Sequence, residues 1–340
     1  MKLLLFGGVG FIGTNVVLHA LSKGHTVIGF DNLCRPGVLE NLSVLTKQKK
    51  FQFLCGDVRN KEDFAAIPKN IDCIINFAAN PSVPRSIREP IFDFETNVIG
   101  HLNILEYSKN HGKIPVILAS TNKVYTDKIN ALTLRETKTR YVLTDAAYRH
   151  GIDEFFDVGG HEGFANSPYG TGKLSAEKYT REYWHHYGIP MVANRMSCIY
   201  GLYQKGVAEQ GWMDHFLRAK LHGWPLTIYG DGKQVRDALF GSDVAELYLY
   251  EAEHINNVNG KTFNVGGGTK DSFHTSLLEI IALIDKNFPG KKLKYSFAPW
   301  RASDQRAYVS DIRKVIAVTG WKPTTTILAG LRAMWAAYEA

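Results

Sequence analysis

The chain alternates between short continuous runs of apolar residues and longer stretches in which apolar residues recur every three or four positions. Continuous runs are typical of strands buried on both faces, and the longer spacing is typical of amphipathic helices. The runs predict strands at 2–6, 26–30, 51–55, 72–77 and 114–120. Strands that alternate with helices in this way favour an α/β fold with a doubly wound parallel sheet of the Rossmann type.

A glycine-rich turn joins the first strand to the first helix, which the pattern extends from Phe11 to Lys23. Gly7 permits a tight turn, Gly10 lets the backbone approach a pyrophosphate, and Gly13 allows the helix to pack closely. The free N–H groups of the helix N-terminus favour an anion. The turn therefore predicts a dinucleotide site. Its spacing is GxxGxxG, and an ordinary strand-to-helix turn is the alternative.

Residues that follow the next three strands fit the same site. Asp31 ends the second strand, where a carboxylate can bind both hydroxyls of the adenosine ribose and would repel a 2′-phosphate. This position favours NAD over NADP, although the nearby Arg35 weakens the preference. Asp57 follows the third strand and could meet the adenine amino group. The small residues Ala78 and Ala79 follow the fourth strand, where backbone must lie close to a cofactor.

The candidate catalytic residues are Thr121, Tyr169 and Lys173. Positions i and i+4 share a helix face, so Lys173 can place its ammonium beside the Tyr169 phenol. A tyrosine pKa is about 10, and a nearby cation favours the phenolate, which could then accept a proton from a sugar hydroxyl. Thr121 ends the fifth strand at the edge that carries the phosphate-binding turn. Each feature alone has a structural alternative, a solvated helix face or an ordinary strand end.

Composition narrows the class of protein. The 340 residues are 45% hydrophobic, enough for a large core, and the net charge of +7 is not concentrated in one segment. We therefore expect an anionic small-molecule substrate and not nucleic acid. The four cysteines form no CxxC pair and lie near no histidine cluster, so no metal is expected. No apolar run approaches a membrane span or a signal sequence. A reducing cytoplasm is the expected location.

The second half offers a substrate region made of separated pieces. Gln210 and Trp212 begin a predicted amphipathic helix that ends near His222, and a helix start beside an aromatic ring could cap a base and its phosphates. Core packing is the alternative for Trp212. Arg236 and Arg301 are predicted loop arginines suited to a diphosphate, with a surface ion pair as the alternative. The segment 264–268 is predicted to end a strand that returns to the cofactor domain.

Taken together, these motifs resemble the extended short-chain dehydrogenase/reductases, in particular the NAD-dependent nucleotide-sugar epimerases and dehydratases. The resemblance spans nearly the whole chain, and its motifs are Gly7-Gly8-x-Gly10-Phe11-Ile12-Gly13, Asp31-Asn32-Leu33, Gly56-Asp57-Val58, Thr96-Asn97-Val98, Ser120-Thr121-x-x-Val124-Tyr125, Pro168-Tyr169-Gly170-x-x-Lys173 and Tyr200-Gly201. It implies a Rossmann-type NAD-binding domain at 1–190 with a return segment at about 238–270. A smaller mixed α/β lobe at 191–237 and 271–340 would bind the nucleotide sugar.

The resemblance also implies roles for individual residues. Tightly bound NAD would contact Gly7, Gly10, Phe11, Ile12, Gly13, Asp31, Asn32, Asp57, Val58, Ala78, Ala79, Asn97, Ser120, Tyr169 and Lys173. The substrate would contact Ser82, Thr121, Asn122, Lys123, Gln210, Trp212, Arg236 and Arg301. The family habit of pairing two helices beside the sheet implies a homodimer or a dimer of dimers.

Further segments resemble one branch of that family, the 2-epimerases of CDP-paratose and CDP-tyvelose. They are Ser120-Thr121-Asn122-Lys123-Val124-Tyr125, Thr139-Arg140-Tyr141, Gly230-Asp231-Gly232-Lys233-Gln234-Val235-Arg236-Asp237 and Arg301-Ala302-Ser303-Asp304-Gln305-Arg306, together with a long link from Tyr125 to Tyr169. The branch implies inversion at C2 of a CDP-hexose through a transient keto-sugar. The chain departs from the wider family at Thr126, where glycine is usual, and at Cys198, where many 4-epimerases place asparagine.

Three alternatives remain. One is a UDP-sugar 4-epimerase, which the cysteine at position 198 disfavours. The second is a net NAD(P)-dependent oxidoreductase, which would consume added cofactor. The third is a non-catalytic redox-sensing module, although such modules usually lose the tyrosine or the lysine. A dehydratase would need an acidic residue beside Thr121, where this chain carries Asn122 and Lys123.

Overall fold

The computed structural model describes residues 1–160, 162–207 and 210–339, which form fifteen strands and twelve α-helices. The strands are β1 (Lys2–Phe6), β2 (Thr26–Asp31), β3 (Phe51–Cys55), β4 (Cys73–Asn76), β5 (Val116–Thr121), β6 (Leu134–Glu136), β7 (Tyr141–Leu143), β8 (Met191–Met196), β9 (Cys198–Tyr200), β10 (Leu226–Tyr229), β11 (Val235–Phe240), β12 (Lys261–Val265), β13 (His274–Ser276), β14 (Tyr295–Ala298) and β15 (Ala307–Tyr308).

The helices are α1 (Phe11–Ser22), α2 (Val38–Leu45), α3 (Val83–Arg88), α4 (Pro90–Phe94), α5 (Gly100–Asn110), α6 (Pro168–Tyr187), α7 (Trp212–His222), α8 (Gly241–Glu253), α9 (Ile255–Val258), α10 (Leu277–Asn287), α11 (Arg313–Thr319) and α12 (Ile327–Glu339). A π-helical turn, Glu95–Ile99, joins α4 to α5. Within the described residues, no helix combines the length and apolar character needed to cross a membrane.

Seven strands form a central sheet in the order β12-β8-β5-β4-β1-β2-β3, and every neighbouring pair is parallel. The five strands expected from the apolar runs are β1 to β5, with ends shifted by at most two residues. This sheet with helices on both faces confirms the Rossmann-type α/β fold. Its order reverses between β1 and β4, so the carboxyl ends of these strands open a crevice for a ligand.

Alternate side chains of β1 build two separate cores. Leu3 and Leu5 pack in the cluster that contains the apolar faces of α1 and α8, whereas Leu4 and Phe6 pack in the cluster that contains the apolar face of α5. All four side chains are fully buried. Because successive residues of a strand point to opposite faces, a continuous apolar run is what a sheet covered on both faces requires.

The residues after β8 build smaller sheets beside the carboxyl edge of the central sheet. Strand β11 pairs with β9, β13 and β15, and β10 pairs with β14. Two predictions need correction here. Arg236 lies within β11 and not in a loop, and the helix expected from Gln210 begins at Trp212 because Gly211 adopts a left-handed conformation. Strand β12 returns to the central sheet as expected, while the division into two lobes stays a prediction.

A buried ion pair ties α6 to the central sheet. Arg195 of β8 donates from its Nη2 to Oε2 of Glu177 over 2.8 Å, and both side chains are less than 10% exposed. The Ser120 hydroxyl of β5 also hydrogen-bonds Glu177. A buried charge that loses its partner is strongly destabilising, so this contact fixes α6 against the strand ends.

Arg195→Met should lower the free energy of unfolding by about 3–5 kcal/mol, because it leaves the Glu177 carboxylate buried without its cation. Urea unfolding followed by circular dichroism measures this change. Arg85→Met is the matched control, since Arg85 pairs with the half-exposed Glu89 and its loss should leave the unfolding midpoint almost unchanged. Equal effects of the two substitutions would contradict the structural role of Arg195.

Candidate active site

A cavity of about 510 Å³ lies at the carboxyl ends of the central strands and extends to the smaller sheets. Of the residues predicted for the site, those that line this cavity are Gly7, Gly10, Phe11, Ile12, Gly13, Asp31, Asn32, Asp57, Val58, Ala78, Ala79, Ser120, Thr121, Lys123, Tyr169, Lys173, Gln210, Trp212, Arg236 and Arg301. One continuous cavity therefore joins the glycine turn, the tyrosine and lysine of α6, and the predicted phosphate-binding arginines.

Three predicted contact residues lie outside the cavity lining. Ser82 caps α3 and accepts a hydrogen bond from Arg85 N over 3.2 Å. The side chain of Asn122 donates to Oε1 of Gln305 over 3.3 Å. Asn97 is 2% exposed and bonds to the backbone of Asn80. Their contacts with cofactor or substrate stay predictions.

The glycine turn has the shape that a dinucleotide requires. Gly7 has φ of +71°, and a Cβ there would lie 2.7 Å from Ala78 N, so no other residue fits without strain. A Cβ at Gly13 would lie 2.3 Å from the Gly7 carbonyl oxygen. Helix α1 thus begins against the turn with its free N–H groups at the cavity. These features fit the pyrophosphate of NAD.

Two carboxylates lie at the adenosine end of the predicted cofactor site. Asp31 accepts hydrogen bonds from Leu33 N over 2.9 Å and Val9 N over 3.3 Å, and burial raises its pKa. Asp57 accepts from Nη2 of Arg59 over 2.7 Å and from Nδ2 of Asn32 over 2.9 Å. Hydrogen bonds from Arg59 lower the pKa of Asp57 to about 2, so this carboxylate is ionised at neutral pH. Sequence reasoning did not anticipate that ion pair.

The predicted catalytic residues meet where β5 ends against the first turns of α6. Tyr169 is 9% exposed, Lys173 is 3% exposed, and Ser167 caps the helix by accepting from Gly170 N over 3.1 Å. The backbone N–H of Tyr169 donates to the Ser86 hydroxyl over 3.1 Å, which fixes the first turn of α6 on α3. The Thr121 hydroxyl, at the end of β5, accepts a hydrogen bond from Lys123 N over 3.2 Å.

Burial opposes the ionisation that we expected from the tyrosine and lysine pair. It raises the pKa of Tyr169 to about 12, with the Thr121 hydrogen bond opposing the rise and Asp93 adding to it. Burial also lowers the pKa of Lys173 to about 8, against the effects of Glu177 and Asp93. Burial of both groups therefore works against a phenolate beside an ammonium, and a further positive charge at the cavity would favour the phenolate.

The opposite end of the cavity carries cations around one carboxylate. Nη2 of Arg236 lies 2.5 Å from Oδ1 of Asp304, and Nζ of Lys123 lies 4.0 Å from the same oxygen. Burial lowers the pKa of Lys123 to about 8. The guanidinium of Arg301 lies over the Tyr229 ring, 3.8 Å from its centroid. The ion pair considered as the alternative for Arg236 is thus present, and Asp304 is its partner.

Two predicted base-binding residues contact other side chains that line the cavity. Gln210 accepts a hydrogen bond from Arg35, which lines the adenosine end. Nε1 of Trp212 donates to Sγ of Cys198 over 3.0 Å, and its ring packs on Phe216 at 5.7 Å. Trp212 therefore combines the two alternatives from the sequence, because it lines the cavity and also joins the neighbouring apolar cluster.

The sequence profile of the NAD dependent epimerase/dehydratase family matches residues 3–266. The chain therefore belongs to this family, whose members use NAD, as the resemblance of its motifs indicated. Among curated proteins, the chain is 36% identical to the CDP-paratose 2-epimerase of Salmonella typhi, over 98% of each chain. It is 32% identical to a dTDP-glucose 4,6-dehydratase of Xanthomonas campestris, over 96% of this chain and 90% of that protein.

Solved structures show the same architecture with cofactor and substrate bound. The UDP-glucose 4-epimerase of Thermotoga maritima with UDP-glucose superimposes with a TM-score of 0.81 at 28% identity, covering 100% of this chain and 99% of that one. The UDP-glucose 4-epimerase of Thermus thermophilus with NAD gives 0.80 at 27% identity with the same coverage. Nucleotide sugars are thus the substrates of this chain's relatives.

Gly13→Ala should abolish NAD retention, because the added Cβ would force α1 away from the turn that holds the pyrophosphate. The NAD content of purified, heat-released samples measures this loss. Gly24→Ala is the control: it strains a residue with φ of +90° but meets nothing within 4 Å and lies outside the cavity lining. It should reduce stability and leave the NAD content unchanged. Full NAD content in Gly13→Ala would contradict the predicted cofactor position.

Proposed function

We propose that this protein inverts C2 of a CDP-hexose, of the CDP-paratose and CDP-tyvelose type or of the CDP-glucose type, with NAD held tightly throughout. The observation that carries this proposal is the continuous cavity in which Thr121, Tyr169 and Lys173 lie between the glycine turn and a cluster of cations. A sugar diphosphate bound by those cations would extend toward Tyr169. The 36% identity to a CDP-paratose 2-epimerase supports the choice of substrate.

Three side chains of the cavity have separate roles in the proposed reaction. The Tyr169 phenolate removes the proton of a sugar hydroxyl, and Thr121 holds the phenol and that hydroxyl in line. Lys173 stabilises the phenolate, and the buried setting excludes water. NAD held at the glycine turn would supply the acceptor for the hydride of the sugar carbon, and inversion would follow if the keto-sugar turned its other face to the ring before the hydride returned. Tyr169 then returns the proton to the oxygen of the inverted alcohol.

The residues beside Thr121 favour epimerisation over dehydration. Loss of water from a sugar needs a general acid near the leaving hydroxyl, and Asn122 and Lys123 stand where the resemblance places acidic residues in dehydratases. Asn122 bonds to Gln305 and does not line the cavity. Lys123 lies beside Asp304, and its pKa near 8 leaves it mostly protonated at neutral pH. It suits contact with an anionic or electron-rich oxygen.

Cys198 supports a choice against C4 chemistry within the same family. Its thiol is held by Trp212, and burial raises its pKa to about 11, so it stays a neutral, weakly polar group in the cavity lining. An asparagine at this position would offer both a donor and an acceptor to a sugar hydroxyl. The neutral thiol of Cys198 therefore disfavours 4-epimerase activity. A UDP-sugar 4-epimerase is still the second candidate, because the Thermotoga maritima structure holds UDP-glucose in a similar fold.

Dimer formation in the cytoplasm forms part of the proposal. The helices beside the central sheet expose apolar side chains, which is unusual for a surface that stays in water. Ile91 is 73% exposed, Phe94 is 52% exposed, and Tyr179 on α6 is 44% exposed. Pairing of these helices between two chains would bury them.

Tyr169→Phe should remove at least about 99.9% of turnover while leaving the NAD content unchanged, because general base catalysis and its coupled hydride step depend on the phenolate. The measurement is the rate of appearance of the C2 epimer by proton NMR with CDP-paratose, CDP-glucose and UDP-glucose in parallel.

Tyr187→Phe on the same helix is the matched control, since its ring is 43% exposed and outside the cavity lining. It should keep the rate of the unmodified protein. A Tyr169→Phe protein that still turns over would contradict the assignment of the base. A 4-epimer formed from UDP-glucose alone would retain the chemistry and replace the proposed substrate.

A further inference from the structure

A buried carboxylate lies beneath the part of α6 that carries Tyr169 and Lys173. Asp93 of α4 is 1% exposed, and its Oδ1 accepts from Nδ2 of Asn80 over 2.7 Å and from Nδ2 of Asn97 over 2.9 Å. Both amides approach the same oxygen. The other oxygen, Oδ2, faces α6, where a Cβ at Gly172 would lie 3.2 Å from it. Glycine at position 172 lets the carboxylate approach the backbone of α6 beside Lys173.

The two asparagines hold this carboxylate in one orientation. Asn97 donates to the Asn80 carbonyl over 3.2 Å, and its Oδ1 accepts from Asn80 N over 3.0 Å. Asn80, Asn97 and Asp93 thus form a closed group between the end of β4, α4 and the π-helical turn. A buried group of this kind keeps one geometry, because each broken hydrogen bond would leave a buried donor or acceptor without a partner.

The other ionisable groups packed around Lys173 carry little net charge. Glu177 on α6 is paired with Arg195 of β8. His101 on α5 bonds to Asn76 and Thr180, and burial lowers its pKa to about 3, so it is neutral.

Asp93 differs from those groups in its hydrogen-bond partners. Burial raises the pKa of Asp93, and the hydrogen bonds from the amides of Asn80 and Asn97 and the charge of Lys173 oppose that rise. Lys173 is thus its counter-ion, and the charge of Asp93 also acts on Tyr169.

We propose that Asp93 is a positioning residue whose buried negative charge sets the pH range in which the Tyr169 and Lys173 pair works. The inference rests on the proposed function only in taking Tyr169 as the base. Asp93 raises the pKa of both Tyr169 and Lys173. It therefore keeps Lys173 protonated to higher pH and makes the phenol hold its proton more firmly. Removing the charge should move both ionisations to lower pH.

The test compares Asp93→Asn with the unmodified NAD-bound protein, using tyrosine labelled with ¹³C at Cζ and Tyr169→Phe to assign the signal. The Tyr169 titration midpoint should fall by about one pH unit, the size expected when a close buried charge is lost. The pH profile of the epimerisation rate should move in the same direction on both limbs. A residue with a purely structural role would lower the rate and leave both midpoints in place.

Glu95→Gln is the matched control, because it removes the same charge two residues further on, from a side chain that is 49% exposed. It should leave the Tyr169 midpoint unchanged. Gly172→Ala is a second probe that keeps the charge and pushes the carboxylate away from α6, so it should shift the midpoint down by a smaller amount.

If Asp93→Asn does not fold, the Tyr169 titration midpoint in Gly172→Ala tests the proposal instead. A lower midpoint would support it, and an unchanged midpoint would overturn it. An unchanged midpoint in a folded Asp93→Asn protein, or an equal shift in Glu95→Gln, would overturn the proposal. The titration needs no turnover, so it tests Asp93 even if the proposed epimerisation fails.

Discussion

Lys173 is a cation held in the interior of the protein, and much of the surrounding arrangement compensates for that burial. Removing an ammonium from water favours its neutral form, and the carboxylates of Glu177 on the same helix and Asp93 on α4 oppose that effect. The Glu177 carboxylate would itself be costly to bury. Arg195 of β8, a strand of the central sheet, offsets this desolvation cost by pairing with it. Thus the face of α6 that carries the proposed catalytic residues Tyr169 and Lys173 also fixes this helix to the central sheet.

The same constraint bears on the role that we propose for the cofactor. Burial raises the pKa of the Tyr169 phenol and lowers the pKa of the Lys173 ammonium, which is unfavourable for a phenolate beside an ammonium. A positively charged nicotinamide ring would shift that balance toward the phenolate. We therefore expect the Tyr169 phenol to ionise more readily when NAD occupies the cavity.

Local patterns predicted the central sheet well because strands such as β1, β4 and β5 are buried on both faces and therefore read as continuous apolar runs. They failed where the deciding contact is remote in sequence. Arg236 follows Gly230 and Gly232, which suggested a loop, yet pairing with β15 makes it part of β11. Asp93 gave no signal, because a carboxylate in a helix ordinarily points to solvent. Its burial comes from Asn80, which packs on it from the end of another strand.

The first measurement is whether the hydrogen at C2 is retained during inversion, because the proposed reaction keeps this hydrogen on a bound cofactor. The purified protein, without added NAD, is incubated in deuterium oxide with CDP-paratose, and the C2 signal of the product is followed by proton NMR. We expect a C2 epimer that carries no deuterium at C2, because a cofactor that stays bound would return the same hydrogen that it accepted. Deuterium at C2, or turnover that requires and consumes added cofactor, would contradict it.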